Sequence, residues 1–111
     1  MPATAVVPAR DELARRIAQA DPERVVPGLY PGILKMAGRT LTGAGVVVML
    51  SNAIAEHTRG PDGDNTSPPM YELLLMKLLP DFVHAIVDDE QVRADALAML
   101  EKSAGPGRGH S

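Results

Sequence analysis

The sequence predicts an all-α fold: a small bundle of four to five helices with a turn-rich N-terminal connection. Three observations carry that expectation. Apolar residues recur at three- and four-residue spacing over several segments, which is the helical period. Aromatic residues are only 3% of the chain against 45% hydrophobic content, so aliphatic side chains must supply the core. That composition suits helix packing better than sheets built on aromatic and β-branched residues. Prolines and glycines, finally, gather mainly in clusters that separate the periodic segments.

Residues 1–8 carry two prolines and no helical period. They are expected to form a mobile lead-in to a single helical domain at 9–103, with a disordered tail at 104–111. Between Ala9 and Ala20, Leu13 and Ile17 stand four apart with Ala14 and Ala18 beside them. Arg10, Glu12, Arg15, Arg16 and Gln19 fall elsewhere. So thin a stripe predicts a helix that docks on the domain without forming its centre. Asp21-Pro22 ends it, and the same pair suits a new turn, with Asp as N-cap and Pro in the first position.

The run "VVPGLYPGILKMAGR" repeats Pro-Gly. Each proline fixes its own φ and pushes its predecessor toward extended geometry. A turn-rich connection follows, then a short helix around Ile33 to Ala37 with Gly38 as its stop. Alternatively, Val25, Val26, Leu29 and Tyr30 line a groove; nothing local decides between the two.

In "TLTGAGVVVMLSNAIAEH", Gly43 and Gly45 suit a turn from which a helix starts. At about 100° per residue, Val46, Met49, Leu50, Ala53, Ile54 and His57 share one face. Val48, Ser51, Asn52 and Glu56 lie opposite, as in a core helix packed on two neighbours. A membrane span needs about 20 mostly apolar residues. Here Arg39 and Glu56 bracket a shorter run that contains Ser51 and Asn52, so no membrane role is expected. The Gly-x-Gly has valine where a dinucleotide fingerprint has its third glycine, and no clear strand precedes it.

"HTRGPDGDNTSPP", from His57 to Pro69, reads as a long exposed loop. Its "DGDN" resembles the start of a calcium loop, but Ser67 and Leu73 stand where glycine and glutamate are needed. Ser67-Pro68 suits the start of the next helix. That helix, "MYELLLMKLL", is apolar nearly all round. One small core would leave part of it uncovered, and contiguous exposed apolar surface marks a contact. Met70, Leu73, Leu74, Met76 and Leu78 are therefore the expected interaction surface.

Pro80 is expected to kink or restart the helix. Phe82, Val83, Ile86 and Val87 then form an apolar stripe, and Asp88 with Gln91 offers a capping box. The last helix should run to about Ser103 with Val92, Ala96, Met99 and Leu100 inward. Residues 43–57 would pair with 69–79 as a central hairpin, closed by the C-terminal helices.

Chemistry is mostly excluded. The chain has no cysteine, which removes thiol catalysis, disulfides and cysteine-bound zinc. A net charge of −3 with intermixed signs lacks the basic stripe that nucleic acid requires. One polar group stands out: His84, with Asp81 three residues back and Asp88 four ahead on one helical side. Carboxylates beside an imidazole can orient a base or ligate a metal, though the same pattern fits an exposed polar face. His57, at a helix end, suits dipole complementation or partial burial.

No catalytic signature, cofactor motif or metal motif emerges. The sequence thus points to a non-enzymatic helical interaction module, self-associating or a subunit of a larger assembly. A small ligand-binding protein or enzyme, with an apolar pocket and polar groups from Asp81, His84, Asp88 or His57, is the alternative. With no signal-like start, a cytoplasmic location is expected, and the excess of Arg over Lys with abundant Ala, Gly and Pro hints at a GC-rich bacterial source.

Overall fold

The computed structural model describes residues 2–59 and 69–104 of the chain. Among these residues, five α-helices and a two-stranded sheet follow in the order β1 (Thr4–Val6), α1 (Arg10–Ala20), α2 (Tyr30–Leu34), β2 (Thr40–Thr42), α3 (Gly43–Arg59), α4 (Pro69–Ile86) and α5 (Glu90–Ala104). The fold is a small helical bundle. The expectations for the loop "GPDGDNTSP", for Ser67 as a cap and for residues 105–111 of the tail lie outside the described residues.

Part of the segment read as a lead-in is a strand. Thr4–Val6 pairs antiparallel with Thr40–Thr42, Thr4 opposite Thr42 and Val6 opposite Thr40. The Val7 amide donates to the Arg39 carbonyl at 2.8 Å, and Gly38 donates to the Val7 carbonyl at 3.1 Å. Gly38 turns the chain with φ of +75°, a conformation that glycine alone adopts without steric cost. Val7 is buried. So short a strand has too few residues to show alternation, and its partner is remote in sequence.

α1 buries Leu13 and Ile17, as its thin stripe required. The Pro-Gly repeats open turns: Pro27 begins a 3₁₀ turn and Pro31 sits in the first turn of α2. There a missing amide costs nothing. The short helix therefore lies at 30–34, earlier than the expected 33–37, and Ile33 and Met36 point into the core. Of the possible groove-lining residues, Val26 and Leu29 are buried, Tyr30 is half-buried and Val25 is exposed.

α3 buries Val46, Val47, Leu50, Ala53 and Ile54, with Met49 and His57 half-buried. It does not pair chiefly with α4 as a hairpin. α3 packs most extensively against α5, and α4 against α1. The two helices approach closely at Gly43, where α3 begins: a Cβ there would stand 2.6 Å from the Asp95 Cβ and 2.8 Å from the Ala96 amide nitrogen and Val92 carbonyl oxygen. The missing side chain lets the α3 start touch the α5 backbone.

α4 runs through Pro80 as one helix, with no restart. Core packing accounts for that, because Leu75 and Leu79 before the proline and Phe82, Val83 and Ile86 after it are all buried. Tertiary contacts outweigh the single lost backbone bond. The cap of α5 is Asp89, whose carboxylate accepts the Val92 amide at 2.9 Å. Asp88, expected in that role, is released for another partner.

Candidate functional site

Two surfaces on or beside α4 hold most of the residues singled out from sequence. The first is its outer face in the N-terminal half. Leu73 is 58% exposed, Leu74 40% and Met76 41%. Leu78, expected beside them, is half-buried and packs against the core. The Met70 side chain lies outside the described part. Lys77 is exposed among these apolar groups. The inner side of the same turns is occupied by Leu75 and Leu79, so the core holds the helix in place and leaves the outer leucines in solvent.

The second surface lies at the C-terminal half of α4, where α1 crosses. Arg15, Arg16 and Gln19 of α1, with Asp81 and His84 of α4 and Asp88 just after it, line an open groove of about 610 Å³. Arg16 organises it. Its Nη1 donates to the Asp88 carboxylate at 2.9 Å and to the Ala85 carbonyl at 3.3 Å. Its Nε donates to Glu12 at 2.9 Å, and Arg15 also binds Glu12. Hydrogen bonds from Arg15 and then Arg16 hold the Glu12 carboxyl down at about 2. Those to Asp88 and Glu12 raise the Arg16 guanidinium further. The interface between α1 and the carbonyl end of α4 is thus closed by one guanidinium, where a cation also complements the helix dipole.

The structure brings Asp81, His84 and Asp88 to one groove and leaves His57 elsewhere. His57 lines a separate hollow of about 230 Å³ with Gly28, Lys35 and Glu56. Its ring lies close against the backbone, since a Cβ on Gly28 would come 2.9 Å from the His57 Cε1. Lys35 and Glu56 pair at 3.3 Å across the same hollow. Among the described residues no group of three or more His, Asp or Glu side chains could hold a metal ion. One oxygen of Asp88 is engaged by Arg16. The groove is open and lined by charged side chains, of which Arg16 and Asp88 pair with each other and Arg15 pairs with Glu12.

Two polar clusters escaped the sequence reading. One is the Arg16–Asp88 link, which joins residues far apart in the chain and has no local signature. The other is built on Asp21, which is 2% exposed. Its carboxylate accepts the Val25 amide at 2.8 Å, the Val26 amide at 3.0 Å and the Tyr30 hydroxyl at 2.8 Å. Burial alone would raise this carboxyl, but the hydrogen bonds from Val26, Val25 and Tyr30, with the Arg24 charge nearby, leave it below the usual carboxylate range. Burial and then the bond to Asp21 push the Tyr30 hydroxyl up to about 12. The Asp-Pro step signalled a turn; that the turn would be buried and joined by a tyrosine was not readable. This cluster ties together the connection between α1 and α2, and its buried carboxylate is satisfied by its own donors.

Among the described residues no helix is long and apolar enough to cross a membrane. Comparison with protein-family models, with curated proteins and with solved structures finds no match.

Proposed function

We propose that this chain is a non-enzymatic interaction module that self-associates through the outer face of α4. The observation that carries this reading is the adjacent exposure of Leu73, Leu74 and Met76 on a helix whose other side is packed into the core. Such a surface is already helical, with its other side packed, so pairing needs little ordering of the backbone. A second copy is the simplest occupant, because one patch suffices when a two-fold axis brings it against itself.

Sedimentation velocity from low to high micromolar concentration tests the proposal. The expected result is a concentration-dependent shift toward dimer that Leu73→Ser with Met76→Ser abolishes while the circular dichroism spectrum stays unchanged. A folded wild-type chain that remains monomeric throughout would sink self-association, and the patch would then be left for a different subunit.

A second reading places a small polar ligand in the α1–α4 groove, favoured by the convergence of Gln19, Asp81 and His84 there. The groove is open and charged, unlike the apolar enclosures that usually hold small molecules. Ligand screening by NMR on wild type and His84→Ala checks it. Saturable shifts confined to wild type would favour the reading, and their absence would end it.

A further inference from the structure

We draw no further inference here: the strongest candidate, the open groove between α1 and α4 around Gln19, Asp81 and His84, belongs to the site already described, and its exposed side chains show nothing of what would occupy it.

Discussion

On the inner face of α4, Leu75, Leu79, Phe82 and Val83 are 0% exposed, while on the outer face Leu73, Leu74 and Met76 are 40% exposed or more. The residue types are nearly the same. Position alone separates them, and position decides what each group contributes. An inner leucine contributes to folding by leaving water and filling space. An outer leucine keeps much of its surface in water on folding, and a partner could cover the rest. Substitutions on the two faces should therefore separate stability from association.

The largest effect is expected inside. Phe82→Ala removes the only phenylalanine, a fully buried ring, and should cost about 3–5 kcal/mol in urea unfolding. Leu73→Ser, one face away, should change the stability of the monomer by less than about 0.5 kcal/mol. If the two variants unfolded at similar denaturant concentrations, Leu73 would have to be covered in the folded chain, and the contrast between the faces would collapse.

Asp21 extends the contrast to a charged group. Asp21→Ala would leave two backbone amides and the Tyr30 hydroxyl without their acceptor, and each buried donor so stranded costs about 1–3 kcal/mol. The cluster also predicts a pH dependence. The folded carboxyl titrates below its unfolded value of about 3.9, so the stabilisation is present above that value. It is lost as pH falls through the lower folded value. Unfolding midpoints of wild type and Asp21→Asn, compared from pH 7 to pH 2, should converge toward the acid end. Midpoints that stay equally far apart at every pH would show that the carboxylate charge is not what the cluster uses.

How much of this could be read from the residues depends on the distance over which the cause acts. The helices came through because their signals are local: Leu13 and Ile17 on α1, Val46, Leu50 and Ile54 on α3, and Val92 and Ala96 on α5 are buried as their spacing requires. The outer-face leucines were visible as a surplus, since one turn carried more apolar groups than one side of a helix can hide. Pairing was not legible. That α3 lies chiefly on α5 goes with a close approach at Gly43, which a sequence shows only as a turn-forming glycine. β1 was missed because its partner is distant, and Arg16 because its carboxylate lies 72 residues away. Of the two outcomes expected at Pro80, a kink or a restart, the restart does not occur, for a related reason: the local penalty is plain in sequence, and the packing that outweighs it is not.

Gly43 itself offers a sharper test of the inner packing than another truncated side chain. Gly43→Ala adds one methyl where the nearest atoms belong largely to the α5 backbone, which cannot rotate away. Overpacking of this kind costs about 1–3 kcal/mol, and it opposes the gain that alanine normally brings inside a helix. A net loss measured by thermal unfolding supports the close α3–α5 contact. A net gain would mean that the two helices stand further apart, and that α3 pairs with another neighbour.

The smallest effect is expected where charge meets solvent. Asp88 is 74% exposed on its side chain while its partner Arg16 is 23% exposed, so the pair is screened by water on one side. Exposed ion pairs contribute about 0–1 kcal/mol, and a double-mutant cycle of Arg16→Gln with Asp88→Asn should return a coupling in that range. Arg16→Gln should lose more than Asp88→Asn, because the guanidinium also serves the Ala85 carbonyl and Glu12. Equal single losses would mean that the ion pair carries everything the arginine does. Either outcome bears on α4 as a whole: its inner face is held by buried side chains, and the arginine adjusts only how its carbonyl end meets α1.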